Sequence, residues 1–381
     1  MGGVSTEQLM VTEPDQLVEI EEGWRQLAER RSNAFVTPEW VRAWWQHQGQ
    51  KTSSLLIAAL RHDGELVGVM PLALDKSRRP WVVRFAGASL GDCFHPVAEP
   101  AREPAVAATA MSLLHAEGHD RRMLMMEYVE PGRPWLREMQ LASPRRLAIT
   151  QQQQTELPYI PLDGLDWEGY LSQRGRRSRA NLRRSLRVLE RDHDMKTRLT
   201  TEETLEADLD QLFRLHAMRW QGRGTSTLGS PEAQAVLRDF AASAQRRGWL
   251  RLQVMEADGH PVAALLAWRI GGSYAYYNSG FDPAWSRHSV GTALMMTAIR
   301  TAIEEGASEF DMLLGTEVYK RRFARNGRTV STVVLTRATS PARLLVAGEA
   351  RARRHGRRLA ELPGLGGVTR RLRRALPTSR Q

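Results

Sequence analysis

Two stretches of this chain, 195 residues apart, carry the same hairpin signal: Asp63-Gly64-Glu65-Leu66-Val67-Gly68 and Asp258-Gly259-His260-Pro261-Val262-Ala263. Asp-Gly supplies the two left-handed residues that a tight turn between antiparallel strands demands. The elements around each copy come in one order. In the first half, Leu55–Leu60 reads as a buried strand and Leu66–Leu74 as its return. Trp81–Ala86 is a third strand, Pro104–Glu117 a helix ended by Gly118, and Met123–Val129 a further strand. In the second half, Trp249–Glu256, Pro261–Ile270, the tyrosine-rich Ser273–Ser279, a helix over Gly291–Glu305 ended by Gly306, and Glu309–Leu314 repeat that order. Helices are also expected over Gln16–Arg30, after the Thr37-Pro38 cap, and over Leu205–Trp220 and Glu232–Arg247. Such a chain is expected to be a duplicated α/β unit, two mixed-sheet lobes packed together. The join is expected around Gln151–Trp167, where a glutamine run precedes an extended Leu157–Leu162.

Composition narrows the class. The 381 residues are 42% hydrophobic and 25% charged, which excludes general disorder and collagen. A single cysteine, Cys93, permits no internal disulfide and favours a reducing compartment. The longest apolar stretches fall well short of the roughly 20 residues of a membrane span, and the first residues lack the pattern of a signal peptide. A soluble cytoplasmic protein is the expectation. The net charge of +11 is concentrated in two places: residues 341–381 hold +9 and residues 174–192 hold +6, leaving a slightly acidic body. The 174–192 arginines have two readings, a solvated helix face or a contact for a phosphate-bearing partner such as a nucleotide sugar, a lipid pyrophosphate or tRNA. The tail has two as well: a solubilising segment, or one that lies on an anionic membrane surface at the inner face of the membrane.

The stretch richest in chemistry runs from Ser279-Gly280-Phe281-Asp282-Pro283 to His288-Ser289-Val290-Gly291-Thr292-Ala293. It joins a strand to a helix through small residues, a geometry in which backbone N–H groups approach a pyrophosphate at the positive end of a helix. With Glu305-Gly306, Phe310-Asp311, Gly315-Thr316-Glu317 and Tyr319-Lys320-x-x-Phe323 it forms an ordered series. That series resembles the acetyltransferases of the GNAT superfamily, and more closely the CelD-type branch linked to cellulose and exopolysaccharide biosynthesis. Phe35-Val36-Thr37-Pro38-Glu39-Trp40, the Arg176–Arg191 run and Leu215-His216-x-x-Arg219-Trp220 are similar to that branch too.

The resemblance implies tandem GNAT-like lobes over residues 1–160 and 161–340, followed by a basic tail at 341–381, and kinship with Fem-type aminoacyltransferases. It implies acetyl-CoA or another acyl-CoA as donor, bound at His288, Ser289, Val290, Gly291, Thr292 and Ala293, although His288 and Ala293 depart from the usual residues. It implies a small-molecule or glycan-precursor acceptor and no metal; aminoacyl-tRNA as donor, or a catalytically silent binding module, are the alternatives. Acyl transfer needs a base, a stabiliser of the oxyanion and a proton for the thiolate. Asp311 and Glu317 are candidate bases, Lys320 a candidate stabiliser, and Tyr319 and Tyr277 candidate proton donors. His216, Arg219, Trp220, Tyr277 and Ser279 are candidate substrate contacts. Each has a plainer reading: His216 shares a helix face with Leu209, Leu212 and Phe213, and one face of the tyrosine strand is expected to be packing. A thiol nucleophile at Cys93-Phe94-His95 lacks an acidic or amide partner in the sequence, and His115 and His119 are separated by the Gly118 helix stop.

Overall fold

Both Asp-Gly pairs adopt the left-handed conformation expected of them, with φ of 49° and 82° at Asp63-Gly64 and 52° and 81° at Asp258-Gly259. The computed structural model describes residues 5–339 except 78, 145–146, 175–190, 222–225 and 316–318. The first half contributes β1 (Thr6–Val11), α1 (Glu21–Arg30), α2 (Pro38–Trp44), β2 (Ser53–His62), β3 (Glu65–Asp75) and β4 (Val82–Phe85). After these come α3 (Glu103–Ala116), β5 (Met123–Val129), α4 (Pro134–Leu141) and β6 (Leu147–Pro161). A short helix α5 (Trp167–Ser172) leads into the second half. There follow β7 (Met195–Leu199), α6 (Leu205–Trp220), α7 (Pro231–Arg246), β8 (Leu250–Ala257), β9 (His260–Ile270), β10 (Ser273–Phe281), α8 (Val290–Glu304), β11 (Glu309–Asp311) and β12 (Asn326–Arg337).

Among the described residues these twelve strands lie in one sheet, in the order β1-β2-β3-β4-β5-β12-β6-β11-β10-β9-β8-β7, with a thirteenth, two-residue strand at Val97–Ala98 pairing with β3 off that path. The order is a palindrome of the two halves with one exchange. β6 closes the first half in sequence but pairs with β11 of the second, Asp311 against Tyr159. β12 closes the second half but pairs with β5 of the first, Leu335 against Leu124. The two exchanged strands pair with each other from Asn326–Tyr159 to Arg337–Leu147. The glutamines expected in a join therefore lie inside β6. β1, β7, β12, α4 and α5 have no counterpart among the expected elements, and the chain before α1 forms β1 and a 3-10 turn over Pro14–Glu19 rather than a longer helix.

Caps follow the chemistry of the sequence. The Thr37 hydroxyl accepts the Trp40 N–H at 3.2 Å with Pro38 in the first turn of α2. Trp40 then packs edge-on against Phe35 and Phe240, so α2 of the first half meets α7 of the second in one core. A separate core lies on the other face of the second half, under α8.

Glycine decides one close approach. A Cβ on Gly280 would collide with the backbone of Leu215 and His216, so its absence lets α6 lie directly on β10. Gly280→Ala is expected to cost about 3 kcal/mol, because the atoms it meets are main chain and cannot rotate away. Gly229→Ala, with open space around it, is the control for urea denaturation. Equal midpoints for the two variants would contradict this packing.

Candidate functional site

Parallel strands β10 and β11 run side by side for three pairs, Ser273–Glu309, Tyr274–Phe310 and Ala275–Asp311, and then part. Alternation along the strands sorts their side chains onto two faces. Tyr274, Tyr276 and Phe310 enter the core under α8. Ser273, Ala275, Glu309 and Asp311 face a cavity of about 220 Å³ on the opposite side, at the seam between the halves. The first half closes it with Arg31, Asn33, Cys93, His95, Tyr128 and Arg133, and β12 with Arg328 and Val330.

Backbone strain marks the same place. Among the described residues, seven other than glycine have left-handed φ. Asp63 and Asp258 are hairpin turns and Ser289 begins α8. Ser32, Cys93, Tyr128 and Leu313 all line this cavity, at φ of 52° to 58°. Each such residue costs roughly 1–2 kcal/mol relative to its ordinary backbone, and strain of this kind gathers at functional sites.

Asp311 is the pivotal group. One carboxylate oxygen accepts the Leu313 N–H at 2.8 Å, and Arg328 lies 3.8 Å away, itself held by Glu309. Burial raises the Asp311 pKa to about 6, partly offset by Arg328. A carboxyl at that value is a base poised near neutrality. Burial, with Asp311 and Asp92 nearby, pushes the Cys93 thiol well up, so it is held as a thiol and not as a nucleophilic thiolate. Burial and Arg31 lower His95 to about 4, leaving it neutral. The amide partner absent from its sequence neighbourhood is Asn33, which donates to the Cys93 carbonyl at 2.5 Å and sits 3.3 Å from His95 Nε2.

Beyond the parting of the strands lies a second group. The Tyr276 and Tyr319 hydroxyls are 3.0 Å apart, and Tyr276 also meets the Ser279 hydroxyl at 2.7 Å. Arg219, from the end of α6, donates to Ser279 Oγ at 2.9 Å and lies over the Tyr319 ring. Lys320 is buried, its ammonium donating to the carbonyls of Met312 at 2.8 Å and Leu314 at 2.5 Å, where it fixes the chain leaving β11.

The expected glycine-bearing turn opens α8. Ser289 is left-handed, its carbonyl accepts the N–H groups of Thr292 and Ala293, and the N–H groups of Val290 and Gly291 begin the helix without intrahelical acceptors. A Cβ on Gly291 would press on the Phe281 ring at 3.2 Å. The side chains of Val290 and Ala293 are buried in the α8 core, so only their backbone faces outward. His288 packs with Trp285 and His193 in an aromatic group beside Arg287.

The structure thus brings Tyr319, Lys320, Arg219 and Ser279 together and sets Asp311 across the sheet from them. Tyr277 is elsewhere. Its hydroxyl donates to the Leu90 carbonyl at 2.9 Å and its ring packs with Phe35, Trp40 and Trp268, because its place in β10 points to the other face from Tyr276. His216 is buried, with Nδ1 3.1 Å from the Ser279 carbonyl and Nε2 on the Ser226 hydroxyl, and Trp220 lies against its ring. Glu317, the arginines at 175–190 and the tail from 340 lie outside the described residues. Sequence reasoning passed over Glu309, Arg328, Arg31 and Tyr276. Glu309-Phe310-Asp311 did hold a signal, two acids on one face of a strand whose other face is apolar.

Residues 176–321 match a family model described as an acetyltransferase (GNAT) domain. No curated protein matches the chain. Among solved structures, FemX superposes with a TM-score of 0.62 at 10% identity, covering 89% of this chain and 99% of that one. The C-terminal DUF2156 domain of an Agrobacterium fabrum protein described as a lysylphosphatidylglycerol synthetase gives 0.57 at 14%, covering 88% and 96%. L-PGS from Bacillus licheniformis gives 0.56 at 15%, covering 89% and 97%. The chain has the mixed α/β fold of the GNAT acyltransferases. Among the described residues, no helix is long and apolar enough to cross a membrane.

The raised Asp311 pKa has a signed consequence for stability. A carboxyl that holds its proton more tightly when folded contributes most below its unfolded value of 3.8, and that contribution is lost as pH rises through about 6. Asp311→Asn is therefore expected to be more stable than the parent protein at pH 8, by about 3 kcal/mol. The two should converge below pH 4. Chemical denaturation at several pH values checks this, and a constant difference across pH would contradict it.

Proposed function

We propose that the protein is an acyltransferase that passes an acyl group from a coenzyme A thioester directly to an amine or hydroxyl held in the seam cavity. The observation that carries this reading is the parting of β10 and β11 at Ala275 and Asp311, with Asp311 facing the cavity on one side of the sheet and the α8 turn opening on the other. When bound, the thioester supplies the activated acyl carbon. The Val290 and Gly291 amides, without intrahelical acceptors at the start of α8, would hold its pyrophosphate. Asp311 takes the proton that the acceptor loses as it attacks. The Tyr276–Tyr319 pair, beside the Arg219 cation, returns a proton to the departing thiolate. Lys320 keeps the β11 exit in register through two carbonyls rather than meeting the acceptor.

The resemblance of the sequence to the CelD-type branch supports a sugar or cell-envelope precursor as the acceptor, of the kind used in exopolysaccharide synthesis, and the charge of the basic tail supports contact with the inner face of the membrane. Aminoacyl-tRNA is the second donor, favoured by Arg287 beside the His288 and His193 rings at the head of α8 and by the arginine run before them in sequence.

Calorimetric titration with acetyl-CoA separates these readings. One-site binding is expected, lost in Gly291→Glu, which adds bulk and negative charge at the turn. No binding at millimolar acetyl-CoA, with tRNA bound in a steeply salt-dependent way, would replace the donor; binding of neither would leave a silent module.

A further inference from the structure

Five strands begin or finish together at one end of the sheet. β3 leaves there at Asp75, paired with Val82 at the start of β4, and β4 runs parallel to β5 from Val82–Met123. β12 finishes there, Arg337 against Leu147 at the start of β6. The residues flanking these strand ends are basic and aromatic: Lys76 and Arg79 before Trp81, and Arg121-Arg122 before Met123. Three of the cations stand over the half-buried Trp81 ring, Arg122 at 4.9 Å, Arg79 at 5.4 Å and Lys76 at 5.7 Å from its centre. The acids nearby are engaged or outnumbered. Asp75 is held by Arg84, buried Asp120 meets His115, and Glu117 is exposed just after α3. Among the described residues, none of Lys76, Arg79, Arg121 and Arg122 forms an ion pair. Burial, Arg122 and Lys76 together lower the His119 pKa against the pull of Glu117, in keeping with a positive potential here.

Apolar side chains stand at the same end. Leu141, the last residue of α4, is 62% exposed, and Ile149, near the start of β6, is 39% exposed. The Gln140 side chain donates to the Leu147 carbonyl at 2.8 Å and ties these two elements together. Beyond Arg337 the sequence goes on to residues 341–381, with eleven arginines and two glutamates.

We propose that this end of the sheet rests on an anionic lipid bilayer, with Lys76, Arg79, Arg121 and Arg122 among the headgroup phosphates and Trp81, Leu141 and Ile149 at headgroup depth. Such a surface draws uncompensated cations, and Trp and aliphatic side chains lose water there. A nucleic acid would engage the cations but not Leu141 or Ile149, and the Trp81 ring is covered by its own cations rather than open to a base. The face is remote from the seam cavity: β6 runs from here to Tyr159, opposite Asp311, roughly 40 Å along an extended strand. It adds to the tail contact proposed above and rests on neither that contact nor the acyltransferase reading.

The experiment is co-sedimentation of the full chain with vesicles of phosphatidylglycerol and phosphatidylcholine in equal parts, and of phosphatidylcholine alone. Binding to the anionic vesicles only is expected. Lys76, Arg79 and Arg121 are exposed, so the triple variant Lys76→Glu, Arg79→Glu, Arg121→Glu should keep its thermal midpoint and bind at least tenfold more weakly, each surface cation being worth roughly fivefold. Lys196→Glu, Arg246→Glu, Arg300→Glu makes the same change in net charge on exposed positions of the second half and keeps the tail. It should bind within threefold of the parent. Leu141→Ser should weaken binding at least threefold. The proposal is overturned if the parent does not bind anionic vesicles, if the first triple variant binds as the parent or as the second triple variant does, or if Leu141→Ser binds as the parent does. Binding of tRNA in place of vesicles, lost in the first triple variant, would give the face to nucleic acid and overturn it as well.

Discussion

The pairing of β6 with β12 is the interaction on which the rest depends. Each strand ends one repeat and completes the other, so neither half closes its sheet without its partner. A ladder running from Asn326–Tyr159 to Arg337–Leu147 leaves little freedom for one half to move against the other. The same exchange sets Arg328 and Val330 of β12 opposite Cys93 and Tyr128 of the first half, around Asp311 of the second. Duplication alone would give two sheets; exchange gives one sheet with a cavity at its centre.

The repeats have diverged where chemistry would require it. In the second half the turn before α8 offers backbone amides at a helix start. At the equivalent place in the first half, α3 begins with Glu103 and Pro104. Glu103 is buried and engaged by Arg31, and burial raises its pKa against the pull of Arg133 and Arg31. A carboxylate of the chain itself stands where an anion would be received, which disfavours a second phosphate there. One half thus keeps an open helix start, and the other fills the same position with a carboxylate held by Arg31.

Much of this was legible in the residues, and the part that was not has a physical cause. Strands and helices with strong local signals were readable, among them the Asp-Gly hairpins, the Thr37-Pro38 cap, Met123–Val129 and Leu205–Trp220. The extended end of β6 at Leu157–Pro161 was readable too, but its glutamine part and β12 were not, because Gln151–Gln154 carry no apolar alternation and owe their strand conformation to neighbours distant in sequence. Asp311 was singled out from its motif, and its burial follows from the exchange. Tyr277 was chosen in place of Tyr276 because the sequence shows that the two face opposite ways without showing which face holds the site. Arg31 and Arg328 come from elements nearly 300 residues apart, and no local pattern joins them.

The account places the acceptor in the seam cavity and the donor on the other face of the sheet, and Val330→Phe tests that division most directly. Val330 lines the cavity from β12, three strands across the sheet from β10 and remote from the α8 turn. The measurement is transfer of labelled acetyl from acetyl-CoA into a small-molecule extract of cells, with acetyl-CoA affinity measured in parallel. The account predicts that the ring fills the cavity and transfer falls at least 100-fold while acetyl-CoA binds as tightly as before. Full transfer by a folded Val330→Phe protein would contradict it.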